Sequence, residues 1–233
     1  MESIIDMINE GTKYLAEEER ENQIGIYYPS NIFSCIRQTY FSYFEKPVYS
    51  LESLKAFSIG NAFHELIQKS LKAYGDKHNI IVNNELADLH YDTPTFSIHG
   101  RLDVFMLIAG NEKHIIEIKS HSDLKYLEAE GLAEHKAQLN YYLHFFPDAE
   151  GHLLYINKAH KKMNDIDYKN FRVYNGIKYN EELFGRMVSR AEKLDYYLKK
   201  RELPEAEALI NKETWRCHYC PFREKCFAIE KKS

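Results

Sequence analysis

The chain has 233 residues, a net charge of -4 and 44% hydrophobic residues, with 18 Tyr and 13 Phe among them. This apolar content excludes disordered and fibrous classes, because it can be buried in a core, and the length favours a single domain over residues 1–233. No apolar stretch approaches the roughly 20 residues that cross a bilayer. Since Met1 opens a polar segment rather than a signal peptide, we expect a cytoplasmic protein without membrane contact.

Local periodicity predicts an α/β protein with a mixed sheet flanked by helices. Apolar residues recur at helical spacing in five segments, at residues 2–22, 30–47, 54–74, 124–146 and 181–200. Alternation predicts strands at residues 96–108 and 114–120, joined by an Ala-Gly-Asn turn that favours an antiparallel hairpin. Two shorter strands are predicted at residues 153–157 and 171–174.

Two carboxylates fall where the predicted hairpin can bring them together. Asp103 lies on the first strand, and Glu117 lies on the second strand, two residues before Lys119. Adjacent carboxylates repel each other unless a cation lies between them, so the pair is suited to Mg²⁺ or Mn²⁺. The Lys119 ammonium would share their face and could stabilise charge developing on a phosphate. A Glu-x-Lys pair is also an ordinary surface feature, but the isoleucines around this one predict burial.

Two helical pairs could complete this site. Gly60 and His64 are four residues apart, so they share a helix face on which the glycine leaves room for a strand and the imidazole can reach the carboxylates. Gln138 and Tyr142 have the same spacing on the following helix. Either pair alone is also common in helices that bind nothing.

Taken in order, Gly-x-x-x-His, Gly-Arg-x-Asp, Glu-x-Lys and Gln-x-x-x-Tyr resemble the motifs of the RecB-like branch of the PD-(D/E)XK nuclease superfamily, over residues 54–146. The resemblance implies a restriction-endonuclease-like core at residues 54–175, with elements in the order αβββαβ. It also implies a divalent metal ion held by the residues that match His64, Asp103 and Glu117. The residues that match the family's catalytic group, including two that position DNA or the site, are Asp103, Glu117, Lys119, Gln138 and Tyr142.

Four cysteines form a second group of candidate ligands. Cys217, Cys220 and Cys226 lie within ten residues, and Cys35 is the remaining cysteine. Without a secretory signal, such clustering indicates metal binding rather than disulfides, and three plus one thiolates fill one four-coordinate centre. Spacing alone leaves Zn²⁺ and a 4Fe-4S cluster open, because both accept four thiolates. A small buried apolar role is the alternative for Cys35.

The cysteine pattern resembles the iron-sulfur staple of certain RecB-like nucleases, among them the AddB recombination subunit, the Dna-two nuclease domain and the CRISPR-associated exonuclease Cas-four family. The length of the chain makes the Cas-four family the most similar. This resemblance implies a 4Fe-4S cluster that joins helical regions at residues 30–47 and 180–233. It further implies a metal-dependent exonuclease that trims single-stranded DNA ends before their capture in CRISPR arrays, with CRISPR integrase proteins as partners and oligomeric assembly allowed.

Both the pathway and the activity have alternatives. The same domain occurs in repair, recombination and viral nucleases outside CRISPR loci. A chain with a decayed site could instead be a DNA-binding scaffold with a zinc or iron-sulfur staple. The complete set of Asp103, Glu117 and Lys119 favours an enzyme, since a decayed site should have lost one of them.

Contact with DNA requires a local basic surface, because the net charge is negative. The densest basic group outside the C-terminal tail follows the predicted strand at residues 153–157, and a tyrosine in that strand could stack an unpaired base. A solvated loop is the alternative. The candidate DNA-binding residues are Lys158, Lys161, Lys162 and Tyr155.

Overall fold

A computed structural model of the chain, which describes residues 3–17, 22–127, 129–158 and 170–231, shows one mixed sheet with helices against both of its faces. The strands are β1 (Ile26–Tyr27), β2 (Ile81–Asp92), β3 (Ser97–Ile108), β4 (Glu112–His121), β5 (Glu150–Asn157) and β6 (Phe171–Ile177). The helices are α1 (Ile4–Glu17), α2 (Pro29–Ile32), α3 (Ile36–Ser42), α4 (Leu51–His78), α5 (Ala133–Phe145), α6 (Glu181–Lys200), α7 (Glu207–Ile210), α8 (Thr214–His218) and α9 (Arg223–Glu230), with a 3₁₀ turn at Leu124–Tyr126. Within these residues, no helix is long and apolar enough to cross a membrane.

The predicted mixed sheet between helices is confirmed. The order α4, β2, β3, β4, α5 and β5 is the αβββαβ arrangement expected for the core. The hairpin of β3 and β4 is antiparallel, with Val104 opposite Ile116, and α6 has its predicted bounds. β2 was not predicted, because two asparagines and a register shift between Leu86 and Leu89 interrupt its alternation.

The helix predicted over residues 30–47 is interrupted between α2 and α3. Arg190, on α6, donates hydrogen bonds to the carbonyl oxygens of Ile32 (2.9 Å) and Ser34 (3.1 Å). In a continuous helix these carbonyls would accept from amides one turn later, so the arginine stabilises the interruption by satisfying them. Cys35 therefore lies at the junction before α3 rather than inside a helix.

The helix predicted over residues 124–146 begins later than expected, with α5. Gly131 has a φ of +80°, a left-handed conformation that an α-helix does not contain. The segment before this glycine forms only the 3₁₀ turn. The end of α5, just before Pro147, agrees with the prediction.

The sheet divides around β3. β1 and β2 both pair with Ser97 and Ile98, so they lie on opposite edges of β3. β2 and β4 both pair with residues 104–107, so they also lie on opposite edges. β1 and β4 therefore lie on the same edge of β3, β1 beside its beginning and β4 beside its end. Residues 99–103 of β3 pair with neither of them on this edge. We call the opening along these residues, which ends at Asp103 where β3 meets β4, the β3–β4 gap.

Different helices cover the two faces of the sheet. α4 packs on one face, in an apolar cluster that contains Val104 and Ile118. α5 and α6 pack on the other face, in a cluster that contains Leu102 and Ile115. Leu102 and Val104 thus pack in different clusters, although strict alternation predicts a single face for both. This change of face occurs between the part of β3 that pairs with β1 and the part that pairs with β4.

Gly100, on β3, allows α5 to pack directly on the strand. An added Cβ would lie 2.5 Å from Cε1 of Tyr141 and 2.9 Å from Cε1 of Tyr142, and both rings are buried. We therefore expect Gly100→Ala to lower the free energy of unfolding by about 1 to 3 kcal/mol, measured in urea. Gly185→Ala, on α6, is the control: an added Cβ meets no atom within 4 Å there. Equal stability of the two variants would contradict this packing.

Candidate active site

Asp103 is held at the β3–β4 gap from two sides. Its Oδ2 accepts a hydrogen bond of 2.7 Å from the backbone N–H of Ile118, on β4. Its backbone carbonyl oxygen accepts a hydrogen bond of 3.0 Å from Nε2 of Gln68, on α4. The carboxylate therefore connects β3 to β4 just beyond the last pair of their ladder, Val104 and Ile116.

His64 reaches the same gap from α4. Its Nδ1 lies 3.6 Å from Oδ1 of Asp103. An added Cβ at Gly60 would lie 2.8 Å from Oγ of Ser120, on β4, so α4 passes close to this strand and a side chain at position 60 would force the Ser120 hydroxyl to move. This is the close approach predicted from the Gly60 and His64 spacing.

Glu117 carries a buried carboxylate with too few partners. The residue is 1% exposed, and its Oε1 lies 2.6 Å from Nζ of Lys119. The geometry of this ion pair is not that of a hydrogen bond, and neither carboxylate oxygen has any other donor among the described residues. Burial, reinforced by the charge of Asp103, raises the pKa of Glu117 to about 7, although Lys119 opposes this rise. A buried carboxylate in this state is destabilising unless a cation binds it.

A series of hydrogen bonds from α5 positions Lys119. Its Nζ donates to Oε1 of Gln138 (2.9 Å), and Nε2 of Gln138 donates to the hydroxyl of Tyr142 (3.1 Å). The Tyr142 hydroxyl in turn donates to the carbonyl oxygen of Arg101 (2.9 Å). Burial opposes the charge on Lys119, but the neighbouring carboxylates outweigh burial and raise its pKa. The lysine is therefore an oriented ammonium at neutral pH.

The donor set at the gap fits a small divalent cation. The side chains of Asp103 and His64 are close enough to Glu117 to shift its pKa, and Oε2 of Glu117 has no hydrogen-bond partner among the described residues. Carboxylate oxygens are the ligands that Mg²⁺ and Mn²⁺ prefer, and the protein usually supplies one or two of them. These three residues are therefore the ones that would hold such an ion.

The raised pKa of Glu117 predicts a pH-dependent stability. Between pH 4.5 and about 7, the folded chain keeps a proton on Glu117 that the unfolded chain loses, so the free energy of unfolding falls as pH rises through this range. We expect Glu117→Gln to remove a decline of up to about 3 kcal/mol, measured by urea unfolding. Saturating Mg²⁺ should offset the same decline in the wild type. Identical pH profiles for wild type and variant would contradict the assignment.

The four cysteines surround one recess beside α3, α8 and α9. This recess is lined by Cys35, Cys217, Cys220 and Cys226. Buried Arg37 donates to the carbonyl oxygen of Pro204 (2.7 Å) and to Oε1 of Glu230 (2.5 Å), and its NH1 lies 3.7 Å from the sulfur of Cys226. The arginine thus holds the C-terminal helices against α3.

The sulfur atoms in this recess do not form a compact group. Among the described residues, no three cysteine sulfurs lie within 4.8 Å of one another. Burial, with the other cysteines nearby, raises the pKa of Cys217 and also that of Cys220, the latter to about 11. Four thiolates are the ligands of one zinc ion or of a 4Fe-4S cluster, so the recess could hold either centre.

Arg216 links the cysteine recess to the candidate active site. It directly precedes Cys217, and its NH2 lies 2.5 Å from Oε2 of Glu134, on α5. The charge of Glu134 contributes to the raised pKa of Lys119. Sequence reasoning missed both residues of this pair. Glu134 could have been found four residues before Gln138 on the same helix face, but only the fold brings Arg216 to it.

Of the residues predicted to contact DNA, the structure describes Tyr155 and Lys158. Tyr155 is 0% exposed, and its hydroxyl lies 2.8 Å from Nδ1 of His135. The predicted stacking role of Tyr155 is therefore wrong: alternation along β5 directs its ring into the core under α5. Lys158 is half-buried, and burial lowers its pKa. Lys161 and Lys162 lie outside the described residues.

Comparison with solved structures finds similar folds at low sequence identity. The crystal structure of SSO0001 shares 20% identity over 95% of each chain, with a TM-score of 0.62. The alkaline exonuclease LHK-Exo from Laribacter hongkongensis shares 14% identity over 82% of this chain and 94% of that chain, with a TM-score of 0.49. The LHK-Exo complex with dAMP gives 13% identity over the same shares and a TM-score of 0.51. No curated protein matches the sequence significantly.

The sequence itself matches a family profile, that of the PD-(D/E)XK nuclease superfamily, over residues 73–227. This range is more than half of the chain; it contains Asp103, Glu117 and Lys119, and it begins after His64. The αβββαβ order and the carboxylates at the β3–β4 gap agree with the match. The chain therefore belongs to the PD-(D/E)XK nuclease superfamily.

Proposed function

We propose that this nuclease is a metal-dependent exonuclease that removes nucleotides from single-stranded DNA ends and contains a 4Fe-4S cluster. The observation that carries the catalytic part is the buried carboxylate of Glu117, which lies beside Asp103 and has Lys119 as its one close cation among the described residues of the β3–β4 gap. Two carboxylates beside one ammonium keep a net negative charge that costs stability unless a further cation binds, so a catalytic site explains the arrangement better than a structural ion pair does.

Hydrolysis of a phosphodiester builds negative charge on the phosphoryl oxygens. Lys119 stabilises this charge, because Gln138 fixes its ammonium in the gap before the substrate arrives. His64, Asp103 and Glu117 would hold the divalent cation. When bound, Mg²⁺ or Mn²⁺ supplies Lewis-acid stabilisation and makes a water molecule more acidic.

Gln138 and Tyr142, on α5, support Lys119 through hydrogen bonds and do not themselves react. Gln138 accepts from Lys119, and Tyr142 accepts from Gln138 while donating to the β3 backbone. They position the lysine, and they keep its Nζ from turning away when Glu117 binds a cation. Their contribution should therefore appear in the rate of cleavage more than in the affinity for DNA.

Exonuclease action is supported by the resemblance to the Cas-four family and by the similar fold of LHK-Exo, an alkaline exonuclease whose structure was solved with dAMP. The preference for single strands rests on the resemblance to the Cas-four family. The convergence of Cys35, Cys217, Cys220 and Cys226 on one recess, together with the resemblance to the Cas-four family, supports the iron-sulfur cluster. The resemblance also supports a role in trimming DNA before its capture in CRISPR arrays, beside integrase proteins. Co-purification with a tagged CRISPR integrase tests that partnership.

The test of the activity uses single-stranded DNA labelled separately at its 5′ and 3′ ends, with anaerobically purified protein and Mn²⁺ or Mg²⁺. We expect progressive shortening from one end, no cleavage in EDTA and no cleavage of circular single-stranded DNA. Cutting of the circle would show an endonuclease instead. If folded protein that contains iron leaves the DNA uncut, a DNA-binding scaffold is favoured over an enzyme.

A further inference from the structure

Three further side chains with metal-binding chemistry lie together outside the candidate active site. His114 is on β4, and Glu150 and His152 are on β5, in a parallel pairing that sets His114 opposite Glu150. Side chains alternate along a strand, so His114 shares a face with Ile116, which packs in the cluster under α4. Lys119 contacts α5 instead. On β4, the His114 side chain therefore lies on the face opposite to those of Glu117 and Lys119.

The spacing of these three side chains is that of a metal coordination shell. Nδ1 of His114 lies 3.0 Å from Nε2 of His152, and that nitrogen lies 3.8 Å from Oε1 of Glu150. One ligand atom from each residue lies within 4.8 Å of the other two. Ligands at 2.0 to 2.1 Å from a tetrahedral zinc ion are about 3.3 Å apart. The observed distances lie on either side of that value, so a small adjustment would admit the ion.

The hydrogen bonds around His152 expose the nitrogen that a metal needs. Nδ1 of His152 lies 2.8 Å from Oδ1 of Asn175, an acceptor, so Nδ1 carries the proton and Nε2 presents a lone pair to the group. A histidine ligand is usually oriented by such a bond from its other nitrogen. Nε2 of His114 is buried and has no hydrogen-bond partner in the described part of the chain. The contact between the two rings therefore leaves one ring nitrogen of His114 without a hydrogen bond to a described residue.

Glu150 supplies the charge that such a site requires. Its Oε2 lies 3.7 Å from Nζ of Lys178, which leaves Oε1 for the histidines. Two imidazoles and one carboxylate are the protein ligands of many zinc sites with an open fourth position. Imidazole nitrogen also favours zinc and its neighbours in the first transition row over Mg²⁺, which prefers oxygen.

We propose that His114, Glu150 and His152 form a second metal site that binds Zn²⁺, separate from the divalent-cation site at the β3–β4 gap. The bound ion would join β4 to β5 at the sheet end where both strands begin. His114 precedes Glu117 by three residues, about 10 Å along the strand, so the ion would stabilise the sheet without touching the reacting groups. The site thus acts as a structural link.

The test measures zinc binding directly, with the cysteine centre intact and Mg²⁺ in excess. We expect wild type to retain one more zinc ion per chain after dialysis than His152→Ala, and its unfolding temperature to rise with added zinc. Co²⁺ in place of zinc should give visible absorption of a four-coordinate site in the wild type only. Equal zinc content in the two proteins would overturn the proposal and leave a simple hydrogen bond between the rings.

Two further variants guard against a folding defect in His152→Ala. Asn175→Ala removes only the hydrogen bond that orients His152, and we expect it to weaken zinc affinity about 10- to 100-fold. His78→Ala, at an exposed histidine near the end of α4, should bind zinc as the wild type does. Unchanged affinity in Asn175→Ala, or equal loss in His78→Ala, would also overturn the proposal.

Discussion

Replacement of Lys119 by alanine is expected to abolish DNA cleavage in a chain that stays folded. Its ammonium is the only cationic group we assign to the charge on the phosphate, and Gln138 already holds it in place. Loss of one such preorganised group typically lowers the rate by at least about 10²- to 10³-fold, or about 3 to 4 kcal/mol in the activation free energy. Single-turnover cleavage of end-labelled single-stranded DNA measures this.

The matched control for this variant is Lys113→Ala, because Lys113 lies on the same strand but pairs at 2.7 Å with Asp148 away from the gap. We expect it to cleave DNA at the wild-type rate. Lys119→Ala should also shift Mn²⁺ binding to higher pH, because Lys119 lowers the pKa of Glu117. Retained cleavage in Lys119→Ala would refute the role of the lysine. Equal loss in both variants would indicate a general defect of β4.

The central site was predictable because its residues are tied to local patterns. The alternation around Asp103 and Glu117 and the turn between their strands specify an antiparallel hairpin, and that hairpin alone brings the carboxylates together. His64 and Gln138 come from helices with clear periodicity on either side of this hairpin. Local rules therefore sufficed for the parts of the site that lie close in sequence.

The remaining features depend on residues distant in sequence. Arg190 interrupts a predicted helix by satisfying carbonyl groups on another element. Tyr155 was assigned to DNA because a basic segment follows it, but the face it occupies depends on how β5 pairs with β4. The contact of Arg216 with Glu134 joins elements separated by most of the C-terminal half. Local sequence spacing cannot predict such contacts, because they arise only when distant elements pack together.

The second large effect is expected in Cys220→Ser, which removes one of the four candidate ligands of the cysteine centre. Cys35 and Cys217 are 182 positions apart (217 minus 35), so one centre bound to both closes a long loop of the unfolded chain. A covalent link over about 100 residues is worth about 4 to 5 kcal/mol, and its loss should lower the unfolding temperature by about 10 °C or more. From the proposed 4Fe-4S cluster, we expect the variant to lose the iron and the visible absorption of the wild type.

The same variant should also slow cleavage, through α8. Arg216 lies beside Cys217, and its contact with Glu134 joins this helix to α5, where Glu134 influences the charge on Lys119. Loss of the centre should release that contact, and we expect cleavage to fall by at least about 10-fold, on the scale of a 1.4 kcal/mol change. His218→Ala, at an exposed residue between the cysteines, is the control and should keep both iron and activity. Full metal content in Cys220→Ser would refute four-cysteine ligation. Normal cleavage after complete loss of iron would show that the cluster stabilises the fold without supporting the active site.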